Sequence, residues 1–430
     1  MLDIRRLRED PEAIRRGLGQ RGADVALVDA VQTLDGERRT LLAETETLRG
    51  ERNRLSKTIG ARMKQGEDTA DTQASVRAMG ERIKAIEELL RAVEPKLEAA
   101  VLAIPNMPGP GIPIGPDASA NRVVRLHGEP VTFDFEPRTH MAVGEALGIL
   151  DFPRATRMTG AGFPLLLGAG AKLQRALIQF MLDLHVTEHG YTEMLPPFVV
   201  NSDSMIGTGQ LPKMAEDMYR IPLDDLWLIP TAEVPVTNYL RDEIIEQPLP
   251  VCFTAYTPCF RREAGAAGKD TRGMIRVHQF DKVEMVRFVD PERSYDELEI
   301  LLKHAEDVLQ RLGLHYRVLE LCSGDISFAA AKCYDIELWA PGQQDWLEVS
   351  SCSNFEDFQA RRARIRYRDG QGKPRFVHTL NGSGVALPRL MVALLENGQQ
   401  ADGTVVLPDV LAPYMNGVTR LEPQGMKETQ

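Results

Sequence analysis

Apolar residues recur with a seven-residue beat in the first quarter of the chain. Leu34, Leu41, Leu48 and Leu55 fall seven apart, and Val31, Thr45 and Ile59 fill part of a companion seam. A polar break at 64–72 (KQGEDTADT) interrupts the pattern. It resumes at Val76, Met79, Ile83, Ile86, Leu90, Val93 and Leu97, with alternating spacings of 3 and 4. That is a coiled-coil seam. Two heptad helices joined by a short polar turn fold back on each other, so the pattern predicts an antiparallel helical hairpin. Its first helix, over 28–63, would be about 54 Å long at 1.5 Å per residue. Ahead of it, residues 1–26 read as one short helix ending at Gly17 or Gly19. The stretch 104–119 (IPNMPGPGIPIGPDAS) is too rich in Pro and Gly for a helix or a central strand, and reads as a linker.

From about residue 120 the pattern changes. Short apolar strands are predicted over 192–200, 225–231, 251–263, 277–289, 315–321, 334–340 and 345–353. Helices are predicted over 169–188, 291–312 and 388–397. Several strands follow one another with hairpin-like loops and no regular βαβ alternation, which predicts an α+β body on a mainly antiparallel sheet flanked by helices. The resulting division is a helical arm (1–108), a linker (109–119) and a body (120–430), with a polar tail from about 417.

Composition adds boundaries. The chain has 430 residues, 43% hydrophobic and 26% charged, and a formal charge of −11. That is globular composition, with enough chain to bury a core without staples. The acidic balance argues against a protein coated in nucleic acid, yet the far end of the first long helix is basic. Arg49, Arg52, Arg54, Lys57, Arg62 and Lys64 meet one nearby acid, Glu51, before the acids of the turn begin. A solvated coiled-coil face is the plain reading; contact with a phosphate backbone is the sharper one. The five cysteines are odd in number and none forms C-x-x-C, which fits free thiols in a reducing compartment. No apolar leader segment and no run of 18 apolar residues is seen, so a cytoplasmic location without a membrane span is expected.

Several chemistries lack their motifs. There is no G-x-G-x-x-G, no G-x-x-x-x-G-K-[ST] and no G-x-S-x-G. His185-Val-Thr-Glu188-His189 matches H-x-x-E-H, but it lies in the last turn of a predicted helix with Gly190 as its cap, and catalytic zinc needs a third ligand. No zinc is expected. The densest constellation is FRREAGAAGKDTRGMIRVHQFDKVEMVRF (260–288). Read as strand, loop and strand, it puts Arg261 and Glu263 on one face of the first strand. Arg276, His278, Phe280, Lys282 and Glu284 share a face of the second. Gly265, Gly268 and Gly273 punctuate the loop. Such a face can clamp a polyphosphate, stack a base and hold an ammonium group. Asn381-Gly382-Ser383-Gly384 followed by Arg389 at a helix start is a second constellation, aimed at an anion. Thr231-Ala232-Glu233 and Glu348-Val349-Ser350-Ser351 are the third and fourth.

Together these segments resemble the signature motifs of class II aminoacyl-tRNA synthetases, and specifically the bacterial-type seryl-tRNA synthetases, over nearly the whole chain. PCFRREAGAAGKDTRGMIRVHQFDKVEM resembles motif 2 and LNGSGVALPRLMVALLEN motif 3. Residues 170–200 resemble motif 1, with Pro197 at a dimer interface. The resemblance implies ATP-dependent activation of L-serine and its transfer to tRNA(Ser), with tRNA(Sec) as a further acceptor, in a homodimer using ATP and Mg²⁺. It implies an ATP site of Arg261, Arg262, Glu263, Arg276, Val277, Phe280, Glu348, Val349, Ser350, Ser351 and Arg389. Within it Phe280 stacks adenine, Arg276 and Arg389 hold the terminal phosphates, and Glu348 and Ser351 hold Mg²⁺ with ATP. Arg261, Arg389 and Glu348 are the implied catalytic residues. The implied serine pocket is Thr231, Ala232, Glu233, Arg261, Glu284, Asn381 and Ser383, with Glu284 on the amino group. The implied tRNA contacts are Arg49, Arg52, Arg54, Lys57, Arg62 and Lys64. A synthetase-like paralogue serving a non-tRNA acceptor is the alternative, and the basic arm argues against it.

Overall fold

The computed structural model describes residues 1–264 and 273–423. The chain divides into two compact units, Met1–Pro105 and Asn106–Gln430.

In the first unit the N-terminal stretch forms two helices, Ile4–Glu9 and Pro11–Gln20, where the apolar pattern predicted one. Asp10-Pro11 makes the break. Pro11 has no N–H with which to continue the first helix, but its fixed φ suits the start of the second. The Asp10 side chain accepts the N–H of Ala13 at 3.0 Å and caps it. Gly17 and Gly19, the expected ends, lie inside that second helix.

Two long helices follow, Ala26–Lys64 and Ala70–Ala103. They run antiparallel, stitched by Arg38–Glu94 (3.1 Å), Arg82–Glu44 (2.7 Å) and Arg49–Glu87 (2.8 Å). Leu41, Ile86 and Val93 are buried at the seam, with Leu48 and Leu90 packed against them. Leu34 is only half-buried; Asp35 takes the inner position instead, and its carboxylate accepts two hydrogen bonds from Arg8, both 2.6 Å. Beyond Thr45 no residue of the first long helix is fully buried, so the seam thins toward the turn.

The second unit is built on an eight-stranded sheet. Its order is Arg122–His127, Tyr316–Glu320, Lys332–Ala340, Asp345–Asn354, His378–Ala386, Gln279–Val289, Val251–Phe260 and Thr192–Glu193. Every neighbouring pair is antiparallel except the last. Helices Ala169–Thr187, Ser294–Arg311 and Leu387–Gly398 contribute Leu173, Leu177, Leu298, Leu301, Leu390 and Leu394 to one continuous core. The stretch that reads as a linker is hydrogen-bonded to this unit from Asn106 onward. Asn106 Nδ2 donates to the carbonyls of Ala329 (2.9 Å) and Phe355 (2.8 Å), Gly109 N to Ala331 O (2.8 Å), and Ser323 N to Pro113 O (2.9 Å). A segment without regular hydrogen bonds of its own satisfies its polar groups on its neighbour.

The strand His378–Ala386, which is not among the predicted strands, runs through Asn-Gly-Ser-Gly. Its glycines are there for space. A Cβ on Gly384 would lie 2.3 Å from His185 Nε2, and one on Gly382 would lie 2.8 Å from Cys352 Sγ. Glycine inside a central strand marks such a close approach.

Candidate active site

Three neighbouring strands of the large sheet and helix Leu387–Gly398 converge on a cavity of about 520 Å³. Along Gln279–Val289 the pleat sends Phe280, Lys282 and Glu284 to one face. The antiparallel register sets Ser383 directly opposite Glu284, and Asn381, two residues earlier, joins the same face. Strand Asp345–Asn354 supplies Glu348 and Ser351. A register shift after Ser383 turns the chain into helix Leu387–Gly398, with Pro388 in its first turn and Arg389 just behind. Thr231 and Glu233 come from the short connection between strand Leu226–Leu228 and helix Glu233–Asn238.

One end of the cavity is a buried charge cluster. Lys282 Nζ forms an ion pair with the Glu284 carboxylate, their side chains 8% and 1% exposed. Thr231 Oγ1 donates to Glu284 Oε2 at 2.8 Å and accepts from Lys282 Nζ at 3.0 Å. Glu233, buried beside them, accepts a hydrogen bond from Gln359 Nε2 at 2.5 Å. Gln359 is itself fixed by donation to Thr208 O (3.1 Å) and by the hydroxyl of Thr379 (2.7 Å). Burial, and then the charge of Glu284, push the Glu233 carboxyl up to about 7; the bonds from Gln359 and Asn381 act the other way. This end holds one ammonium and two carboxyls, so it has capacity for a second ammonium with hydroxyl partners nearby.

The other end is cationic. Arg261 lies over the Phe280 ring, its Cζ 5.1 Å from the centroid, and donates through Nε to Pro230 O at 3.3 Å. Arg276 pairs with Glu263. Arg389 donates to the carbonyls of Ile275 (3.0 Å) and Glu348 (2.7 Å), and its Nη1 lies 3.7 Å from Glu348 Oε2. Three guanidinium groups, an aromatic ring and a half-exposed carboxylate lining one cavity suit a nucleoside polyphosphate.

Arg261 and Glu263 do not share a strand face, contrary to the expectation from the pleat. The first strand ends at Phe260, and Glu263 sits in the left-handed region at φ 52°. A turn held by Asp217, whose carbonyl accepts Arg262 N (2.9 Å) and whose carboxylate accepts Ala264 N (2.9 Å), brings Glu263 to Arg276. Likewise the second strand begins at Gln279, after Arg276 and His278. Gly265 and Gly268 lie outside the described residues.

Of the residues singled out in the sequence, Thr231, Glu233, Arg261, Glu263, Arg276, Val277, Phe280, Glu284, Glu348, Val349, Ser351, Asn381, Ser383 and Arg389 line the cavity. Ala232, Arg262 and Ser350 do not. Ala232 is fully buried, the Arg262 guanidinium turns to Glu216 O (3.1 Å), and Ser350 Oγ donates to Ser383 O (2.6 Å). Gln359 was missed, and no local signal marks it. Lys282 stood on the predicted face without a role; its spacing of two from Glu284 was the available clue.

His185 and His189 face each other, with Nδ1 to Nδ1 at 2.9 Å, while His185 Nε2 meets Gly384 O and His189 Nε2 meets Asp307, both at 3.0 Å. Glu188 pairs with Arg311. Among the described residues no group of three His, Cys, Asp or Glu side chains could hold a metal ion. In the hairpin unit, Arg49 pairs with Glu87, Arg54 with Glu51 and Arg62 with Glu67, while Arg52, Lys57 and Lys64 have no ion pair among the described residues. No described helix is long and apolar enough to cross a membrane.

Two family models match the chain. Residues 1–108 match the seryl-tRNA synthetase N-terminal domain, and residues 219–398 match the tRNA synthetase class II core domain (G, H, P, S and T). The chain is 55% identical over 423 residues to the serine–tRNA ligase of Geobacter sulfurreducens, covering 98% of this chain and 100% of that protein. It is 54% identical to the serine–tRNA ligase of Thermomicrobium roseum, covering 98% of this chain and 95% of that protein. Among solved structures it is similar to seryl-tRNA synthetase from Pyrococcus horikoshii complexed with ATP, with a TM-score of 0.93 and 39% identity, covering 98% of this chain and 100% of that one.

Proposed function

The chain belongs to the seryl-tRNA synthetase family, and from that premise we propose how its cavity and its arm divide the work of an ATP-dependent serine–tRNA ligase. The observation that carries the reading is the two-ended cavity, with an ammonium-binding cluster at one end and three arginines at the other.

Serine binds at the buried end. Glu233 and Glu284 receive its ammonium group, with Thr231, Asn381 and Ser383 within the same pocket. A pocket that hydrogen-bonds the serine hydroxyl rejects alanine, because the smaller side chain leaves buried polar groups unpaired. ATP binds at the cationic end, with adenine by Phe280 and Glu263 and the phosphates among Arg261, Arg276 and Arg389. Activation brings the serine carboxylate against the α-phosphorus, two anionic groups that repel. Arg261 offsets that repulsion at the reacting centre, and the developing charge on the phosphoryl oxygens meets guanidinium groups already held in place by Pro230 O, Ile275 O and Glu348 O. No protein nucleophile is required. Oxygen donors and phosphate suit Mg²⁺, which takes few protein carboxylates and keeps its other positions for phosphate and water. Glu348 and Ser351 would hold it with ATP, and it would supply further charge neutralisation at the phosphates.

The arm binds tRNA(Ser), and tRNA(Sec) as a second acceptor, through Arg49, Arg52, Arg54, Lys57, Arg62 and Lys64. Its exposed cations and the absence of a partner for three of them among the described residues support phosphate contact over a merely solvated face. We further propose a cytoplasmic homodimer that pairs through residues 170–200. Support is the sheet-edge position of Thr192–Glu193 and the exposure of Leu195 just beyond it. The test is ATP–pyrophosphate exchange with each amino acid in turn. Serine-dependent, Mg²⁺-dependent exchange is expected, and exchange with another amino acid but not serine would overturn the reading.

A further inference from the structure

Helix Leu387–Gly398 grips the phosphate end of the cavity twice. Its first turn does so through Arg389, which holds Ile275 O and Glu348 O. Seven residues on, at its far end, Glu396 reaches the same two segments by another route.

Glu396 is wholly buried, and among the described residues no Lys or Arg pairs with its carboxylate. Its Oε2 accepts the N–H groups of Gly342 (2.8 Å) and Gln343 (3.1 Å), in the turn leading into the strand that carries Glu348. Its Oε1 accepts from His140 N at 2.8 Å and lies 3.1 Å from His140 Nδ1. His140, also wholly buried, uses its other nitrogen on the arginine-bearing segment: Met274 N donates to Nε2 at 3.1 Å. A backbone N–H can only donate, so Nε2 is bare and the ring proton of neutral His140 sits on Nδ1, toward Glu396. Met274 N and Ile275 O are thus held by two separate groups, His140 and Arg389, and the next side chain is Arg276.

Gly273 completes the arrangement. It has φ +68°, and a Cβ there would lie 2.1 Å from His140 Nε2. The imidazole occupies the space a side chain would need.

We propose that His140 and Glu396 are positioning residues for activation: a buried relay that fixes Arg276, and with it the phosphate end of the cavity, without touching substrate. This rests on the reading of that end as the ATP phosphate site.

The test compares two substitutions at one position. His140→Asn keeps a donor near Nδ1 and loses the acceptor at Nε2; His140→Gln keeps an acceptor near Nε2. In ATP–pyrophosphate exchange, His140→Asn should lower kcat/KM for ATP by about 100-fold, the scale of an ångström-sized misplacement of a reacting group. His140→Gln should recover most of that loss. In both, KM for serine should stay within about twofold, because the serine cluster draws on other segments. Gly273→Ala, which breaks the same contact from the other side, should reproduce the ATP-specific loss and decides the matter if His140→Asn does not fold. Normal ATP kinetics in His140→Asn or Gly273→Ala, equal losses in the Asn and Gln variants, or a matching rise in serine KM would each overturn the proposal. Wild-type exchange is scored separately. If it ran with an amino acid other than serine, the functional reading would fail, and this inference would be tested with that amino acid.

Discussion

In the hairpin unit the ion pair Arg49–Glu87 leaves 54% and 38% of its side chains exposed; in the body Lys282–Glu284 leaves 8% and 1%. The same charge chemistry has opposite consequences in the two places. An exposed pair is screened by water and salt and contributes about 0–1 kcal/mol, so the hairpin can carry many charges without depending on any one of them. Those charges are free to serve a partner. A buried pair costs several kcal/mol of desolvation per ion and is tolerable only while both partners and their hydrogen bonds stay in place. Such charges suit a site that must meet a small zwitterion in a fixed geometry. The arm therefore distributes its task over many replaceable contacts, and the cavity concentrates its task in few irreplaceable ones.

The sharpest way to break that contrast is Lys282→Met. It leaves Glu284 buried without its cation and should destabilise the body by about 3–5 kcal/mol in urea unfolding at pH 8. Adding Glu284→Leu should recover part of that loss while leaving serine activation abolished. A single variant as stable as wild type would mean the pair is not a buried ion pair in solution.

Arg389→Ala should leave the fold intact, because its guanidinium bonds carbonyls at the cavity wall and not the core. Exchange should fall by about 10²–10³-fold, the usual result of removing one preorganised charge-stabilising donor. Near-normal exchange at saturating ATP would remove it from the site.

A smaller effect follows from Glu233, pushed up to about 7 by burial and by Glu284. Below that pH the carboxyl is neutral and offers serine's ammonium less. The sign is therefore that KM for serine falls as pH rises through about 7 and levels off above it, by about tenfold between pH 6 and 8. The same raised value means the empty protein holds this proton more tightly than the unfolded chain does. Its contribution to stability accordingly declines as pH rises from the usual carboxylate range toward 7. A serine KM flat across this window would contradict the assignment.

The smallest effect belongs to the arm. Lys57→Ala should lower aminoacylation kcat/KM only a few-fold, leave Tm unchanged, and reduce the slope of log affinity against log salt by about 1. A tenfold loss from this one residue would mean the arm also concentrates its function.

The contrast extends to what could be read from the residues. The hairpin is made of local contacts, so heptad spacing located both long helices; the Asp10-Pro11 break needed capping chemistry that spacing alone does not reveal. In the body, alternation located the central strands, and motif resemblance pointed to the arginines and the buried charged residues that line one cavity. Gln359 and the His140–Glu396 relay stayed hidden because their partners are 126 and 256 residues away in sequence. No local pattern encodes such pairings. Glu263 was reached for the wrong reason, since its place comes from a left-handed turn and not from a pleat.

The division of labour is tested most directly by measuring both half-reactions on a protein lacking residues 30–100. Serine-dependent ATP–pyrophosphate exchange should match the full chain while transfer of serine to tRNA disappears. Undiminished aminoacylation would contradict the role given to the arm, and loss of both reactions would contradict the claim that the body activates serine on its own.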